Sequence, residues 1–419
     1  MLVPDLYEKS DCIHDQHSAL EAALATKRSL VLVCKQWQHM AMRYLHRIVL
    51  IRTGLNLLAL DHTLQNYAAG NGSFVGTRSP GHWTRRLDIT LDFSDKSKCE
   101  ELDRCVKRLA DVIRSLPKLE IVSFAIPTSL GLNPYAVTMP FRVLDALRCS
   151  ANSLRILDWS GCDFIPQVHQ LEELLRDLPY LRVLCCYQLV WANGIIPSSI
   201  LSLLTTLAVE HLVERVGHPG EGDLRKACVG LKEFIYYCGY FQLPRGLLIR
   251  YGEYLTTVKL YSTTSDCFGE ALDLLSEYCP NLDRFIFCLC SLFSSDIKSL
   301  ETRSFPRVSY LGVKLEVLNF YGLFQFLAHL RNKVPTLHVF QLICPRVVKK
   351  LLKEPFRASI LKDLNELPFC VEDDWGNLLS GGFGTGSVAH FFHTNTYADR
   401  LIGSESPSGR AVRNHSGKW

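Results

Sequence analysis

The chain is patterned by one recurring run of positions: an apolar residue, two variable residues, an apolar residue, one variable residue, and an apolar residue again. Its clearest copy is Leu154-Arg155-Ile156-Leu157-Asp158-Trp159, followed by Cys162 and Phe164. Copies begin at Leu119, Leu154, Leu181, Leu204, Leu231, Leu255, Leu282, Val308 and Leu337, in steps of 35, 27, 23, 27, 24, 27, 26 and 29 residues. A mean step of about 27 residues is the size of one supersecondary unit, and such units bury their apolar faces only by stacking on one another. The pattern predicts an α/β solenoid in which strand and helix alternate.

Side chains alternate along a strand, so positions four and six of each copy point into the core and positions five and seven to the concave face. Position seven reads Ser160, Tyr187, Glu210, Tyr237, Tyr261, Cys288, Lys314 and Ile343 along the array. Position five contributes Asp158, Lys259 and Gln341. Tyrosine offers a large rigid contact with a hydroxyl at its tip, which suits a binding surface. Asp158, Tyr187, Tyr237, Lys259 and Tyr261 are therefore the candidate partner-binding residues; the alternative is that the tyrosines only cover the sheet. Pro117, Pro179, Pro280, Pro306 and Pro335 each stand two residues before the first apolar residue of a copy. Proline lacks an N–H and clashes with a continuing helix, so it stops the helix at a fixed point and turns the chain toward the next strand.

The flanks are read the same way. Ser18 and Glu21 fit a capping box, and Leu30, Val33, Trp37, Ala41, Tyr44 and Ile48 recur at helical steps, which predicts a helix over 18–48. Ile48 to Ile51 fits a short strand capping the array. Asn66 to His82 carries the turn pairs Asn71-Gly72 and Pro80-Gly81 and reads as a loop or linker. Leu87 to Phe93 alternates like a half-buried strand, the first irregular unit, and Glu100 to Leu116 has helical spacing. The last clear strand is Leu337 to Leu342, Arg346 to Glu354 fits a closing basic helix, and beyond Asp373 the pattern is lost. Gly376 to Trp419 holds eight glycines and reads as a flexible tail.

Composition narrows the function classes. The 419 residues are 47% hydrophobic and 21% charged, enough apolar matter for a continuous core. A net charge of +4 gives no electrostatic footprint for nucleic acid. The most apolar stretch, Ile195 to Val213, is broken by Pro197 and contains Glu210 and His211, so no membrane span is expected. The N-terminal residues lack the pattern of a secretory signal. The sixteen cysteines are then expected as reduced thiols, mostly small core residues such as Cys162 and Cys290.

The repeat length and pattern resemble those of leucine-rich repeats. Ahead of the repeats, Ser29-Leu30-Val31-Leu32-Val33-Cys34-Lys35-Gln36-Trp37, with Ala41, Leu45 and Val49 beyond it, resembles the second half of an F-box. The first half is a partial echo: Val3-Pro4-Asp5-Leu6 stands where Leu-Pro and a glutamate are usual, and Asp11 to His17 is polar where the helix is usually apolar. The whole chain resembles the F-box and leucine-rich-repeat proteins abundant in mushroom-forming fungi. The resemblance implies a curved, ribonuclease-inhibitor-like solenoid of nine or ten repeats with a short N-terminal helical cap. Its divisions are an F-box-like segment at 1–54, a linker at 55–86, the repeat array at 87–356, and a C-terminal cap and tail at 357–419. It implies a substrate-recognition adaptor of a Skp–cullin–F-box ubiquitin ligase, cytoplasmic or nuclear. Leu30, Val33, Cys34 and Trp37 would meet the Skp-type linker, which joins the cullin core, and the concave face would hold an unknown target protein. The alternatives are a protein-interaction scaffold with no ligase link and an enzyme whose site is assembled from distant residues.

Catalytic signals are weak, and no catalytic residue, cofactor or metal is expected. Gly381 to Gly386 is glycine-rich, but no strand precedes it and no Lys-Ser/Thr closes it. His390-Phe391-Phe392-His393 lacks the flanking ligands of a zinc site. Cys279, Cys288 and Cys290 lack Cys-x-x-Cys spacing, and Asp373 and Asp374 are adjacent, so they need not face one another.

Overall fold

A computed structural model of the chain describes residues 23–30, 32–70, 80–91, 99–126, 139–162, 166–190, 204–213, 230–238, 243–262, 266–289, 305–315, 320–343, 348, 367–373 and 376–379. Twelve strands form one sheet: β1 (Ile48–Ile51), β2 (Arg86–Ile89), β3 (Ile121–Ile126), β4 (Ile156–Cys162), β5 (Val183–Val190), β6 (Thr206–Val213), β7 (Glu233–Cys238), β8 (Thr257–Ser262), β9 (Arg284–Leu289), β10 (Tyr310–Leu315), β11 (Val339–Leu342) and β12 (Cys370–Glu372). All are parallel, and their order in the sheet is their order in the chain. A parallel connection between neighbouring strands is right-handed, so repeated steps in one direction put every helix on the same side of the sheet. The fold is α/β and solenoid-like, and among the described residues one face of the sheet carries no helix.

The register fixes how the units stack. Position three of each copy pairs with position three of the next: Ile121 with Ile156, Val183 with Thr206, Glu233 with Thr257, Thr257 with Arg284, and Tyr310 with Val339. Positions four and six are therefore lined up on the helix side. Leu157, Trp159, Phe234, Tyr236, Phe285, Phe287, Phe340 and Leu342 there are almost wholly buried. Burying a side chain of that size stabilises by about 1.5–3 kcal/mol. The core is continuous from Ile51 to Val371, with Phe287, Phe326, Phe340 and Phe369 in successive ring contacts.

The repeated prolines have a specific role. Leu119, Leu181, Leu282, Val308 and Leu337 each donate their N–H to the carbonyl three residues back, at Leu116, Leu178, Cys279, Phe305 and Val334. Each proline is thus the second residue of a hydrogen-bonded four-residue turn. Its fixed φ suits that place, and its missing N–H is not needed there.

The structure corrects several expectations. The sheet has twelve strands where nine or ten repeats were expected: besides the nine copies and the first irregular unit read at Leu87, the strand at Ile48, read as a cap, and the strand at Cys370 also occupy position-three places in the ladder. The strand pattern thus extends beyond both ends of 87–356. The helix expected over 18–48 is interrupted: one helix covers 23–30, residues 32 and 33 turn, and a second covers Lys35–Leu45. Leu32 and Val33 donate to the carbonyls of Ser29 and Leu30, and the Ser29 hydroxyl bonds back to Ala25. That back-bonding serine is followed by valines, which are poor helix formers.

Residues 55–86, read as a linker, contain most of a 15-residue helix, Gly54–Ala68, capped by the Thr53 side chain and buried through Leu57, Asp61 and Leu64. A short helix, Pro80–Trp83, leads into β2. The strand expected half-buried at Leu87 is buried at all four of its positions. Arg86 and Asp88, the polar half of its alternation, neutralise one another. The first residues beyond Asp373 fold back on the edge of β12: Leu378 bridges Glu372, and Leu379 donates to Val371. Pairing of this kind protects an open sheet edge. Ser18, Glu21, Cys290, the 349–354 segment and the 381–419 tail lie outside the described residues.

Candidate functional site: the open sheet face

Alternation along each strand puts positions three, five and seven on the face that carries no helix among the described residues. Parallel register lines them up in three rows, each crossing the strands at about 4.8 Å per step, with the seventh-position row shifted by one residue between β3 and β4, where Ala125 pairs with Gly161. The central row runs Asp88, Ser123, Asp158, Cys185, Ala208, Ile235, Lys259, Ile286, Gly312, Gln341 and Glu372.

Four of the five candidate face residues have described side chains, and all four lie on this face. Asp158 is nearly buried and accepts hydrogen bonds at Oδ1 from the Ser160 N–H (2.8 Å) and hydroxyl (2.7 Å). Lys259 Nζ lies 3.2 Å from Glu233 Oε1, and the Thr206 hydroxyl donates to Glu233 Oε2 at 3.0 Å. Tyr237 and Tyr261 pair directly across β7 and β8, and their rings stack with centroids 4.8 Å apart. The fifth, Tyr187, lies in β5, but its side chain is outside the described residues, as is that of Glu210.

Position three is a row that the sequence reading left out, although the same alternation puts it on this face. It supplies Thr206 and Glu233, which hold Lys259 in place. It also supplies Arg284, whose guanidinium lies 4.3 Å from the centre of the Tyr310 ring. The Tyr310 hydroxyl donates to Gln341. At the N-terminal end the row holds Arg86, whose Nε donates to both carboxylate oxygens of Asp88 at 3.0 and 2.9 Å.

The electrostatics of the face do not favour a thiol nucleophile. Burial, and then the Asp158 carboxylate, push the Cys185 thiol well above its ordinary range, which keeps it protonated. At the C-terminal end burial and the neighbouring Asp373 raise the Glu372 carboxyl. Among the described residues no group of three or more His, Cys, Asp and Glu is placed to hold a metal ion. Nor is any described helix long and apolar enough to cross a membrane.

The second candidate region precedes β1. Leu30 is half-buried at the end of the 23–30 helix, and Cys34 is exposed. Leu32, Val33 and Trp37 are 84%, 64% and 45% exposed. Val33 and Trp37 were expected on one helix face, but Val33 lies in the turn and Trp37 in the first turn of the following helix. Three large apolar side chains within six residues of sequence are thus open to solvent, which is the usual property of a docking surface.

Comparison of the chain with models of known protein families and with curated protein sequences finds no match.

Proposed function

We propose that this protein is a leucine-rich-repeat adaptor of a Skp–cullin–F-box ubiquitin ligase, holding a target protein on the open sheet face. The observation that carries the proposal is the exposure of Leu32, Val33 and Trp37 in the turn and helix immediately before the first strand. None of these side chains belongs to the described core. They suit a partner that covers them, and the Leu-x-x-Val-Cys-Lys-x-Trp run there resembles the Skp-contacting half of an F-box. The open face supports the second half of the proposal. Its stacked tyrosines and its braced Lys259 are ordered before any partner arrives, so little side-chain entropy is lost on binding.

In this scheme the chain performs no chemistry. It raises the effective concentration of the target near the ubiquitin donor. A scaffold without a ligase link is the second reading, favoured by the break in the helix at Leu32 and Val33, which separates Val33 from the helix that carries Trp37. Co-purification with a Skp-type linker and a cullin core separates the two. The adaptor reading expects a complex that Trp37→Ala weakens; the scaffold reading expects none.

A further inference from the structure

The five proline turns differ in the residue just before the proline, which is Leu116, Leu178, Cys279, Phe305 and Val334 along the chain. Cysteine is the smallest of the five. The large side chain one repeat later is directed elsewhere, because the Phe305 ring stacks near Phe285 with centroids 6.2 Å apart. A cavity of about 200 Å³ is left between the turns 279–282 and 305–308.

The floor of this cavity is apolar. Cys279, Leu282, Phe305 and Val308 line it and are buried, so it reaches the packed core. Burial pushes the Cys279 thiol up to about 12, which keeps it uncharged at neutral pH. Exposed Pro280 and Pro306 stand at the mouth. An apolar cavity of about 150 Å³ takes a molecule the size of benzene. This one has room for a single ring with a short arm.

One charged residue lines the cavity, the exposed Arg307. Its Nη1 donates to Asn281 Oδ1, and Asn281 Nδ2 donates to the Glu253 carbonyl at 2.7 Å. The guanidinium is thus held by a neutral partner. Among the described residues no carboxylate lies within ion-pair distance of it. Four of its five N–H donors remain beyond that bond. The Ser276 hydroxyl, also at the cavity, donates to the Asp273 carbonyl at 2.9 Å. An apolar hollow with one unneutralised guanidinium at its mouth complements a small acid with an apolar body, whose carboxylate pairs with the guanidinium fork.

We propose that the cavity between the turns 279–282 and 305–308 binds a small carboxylic acid, its single ring against Phe305 and Leu282 and its carboxylate on Arg307. None of the lining residues is on the open face, so the inference stands apart from the reading of that face.

The test is calorimetric titration of the full chain with phenylacetate, benzyl alcohol and acetate. Benzyl alcohol keeps the ring without the charge, and acetate keeps the charge without the ring. The proposal expects a Kd below about 1 mM for phenylacetate, and binding at least tenfold weaker for the other two. Arg307→Gln removes the charge and Ser276→Leu fills the cavity from its half-buried rim. Each is expected to weaken phenylacetate at least tenfold, with thermal unfolding unchanged in both. Equal binding of benzyl alcohol or of acetate overturns the proposal, as does absence of binding by all three. Phenylacetate binding that neither variant changes lies elsewhere on the chain and also overturns it. A tripeptide of two glycines and a C-terminal phenylalanine offers the same ring and carboxylate on a chain end. Its binding more tightly than phenylacetate would give the cavity to a protein terminus and overturn the free acid as occupant.

Discussion

The rings of Tyr237 and Tyr261 stack 4.8 Å apart and 14° from parallel, on two strands whose ladder pairs these same residues. The sheet itself sets the spacing, because neighbouring strands are separated by the same distance. A double-mutant cycle with alanine at each position is expected to give a coupling of about 0.5–1 kcal/mol in urea unfolding. Additive losses would mean that the rings share a surface without supporting one another.

Arg86 and Asp88 form the most buried ion pair described, with side chains 5% and 1% exposed. Asp88→Asn leaves the guanidinium without its counter-charge and is expected to cost about 3–5 kcal/mol. Replacing both residues by apolar ones of similar size is expected to cost much less, because the desolvation of both charges is removed together. Chemical denaturation of the single and double variants checks the order. A double variant as unstable as Asp88→Asn would contradict it.

Gly252 marks where one unit presses on the next. A Cβ there would come within 2.3 Å of the Tyr278 carbonyl oxygen and 3.1 Å of the Cys279 sulfur. Gly252→Ala is expected to lower stability by about 1–3 kcal/mol through overpacking, read as a shift in the urea midpoint. Gly70 provides the control, since a Cβ there meets nothing within 4 Å. Its cost comes only from its positive φ of 74°.

Burial raises the Cys279 thiol from 9.0 to about 12. The folded state therefore keeps a proton that the unfolded chain releases above about pH 9. Stability is full below that pH and falls as pH rises toward the folded value, by about 1.4 kcal/mol per pH unit for this group. Unfolding free energies at pH 8 and pH 10 are expected to differ less in Cys279→Ala than in the wild type. An identical difference would remove Cys279 from the alkaline transition.

The repeat was legible because its core positions are dictated by burial. Each Leu or Phe at positions four and six has one place to go, and the register follows the copies from Leu119 to Leu337 at position three, with a one-residue shift between β3 and β4 beyond Ser123, where Ala125 pairs with Gly161. The strand at Ile48 was read as a cap and that at Leu87 as an irregular first unit, neither as a copy of the pattern, and the strand at Cys370 was not read, for different reasons. β1 and β12 lie at the ends, where one side has no neighbour to impose the pattern. β2 hides a charged pair where the pattern calls for solvent-facing residues. The proline offset was visible, but its turn bond was not, since a hydrogen bond between Leu116 and Leu119 leaves no mark on residue type. On the open face, alternation located Asp158, Tyr237, Lys259 and Tyr261. It did not give the partners Glu233 and Ser160, because which side chains meet across a ladder depends on rotamers as well as register.

The central claim is that the exposed turn and helix before β1 dock a Skp-type linker. Calorimetric titration of the purified chain with that linker, beside Trp37→Ala and Val33→Asp, tests it most directly. The account expects a Kd on the order of 1 µM or tighter, at least tenfold weaker in either variant and unchanged in Tyr237→Ala. No measurable binding, or binding that neither variant alters, would contradict it.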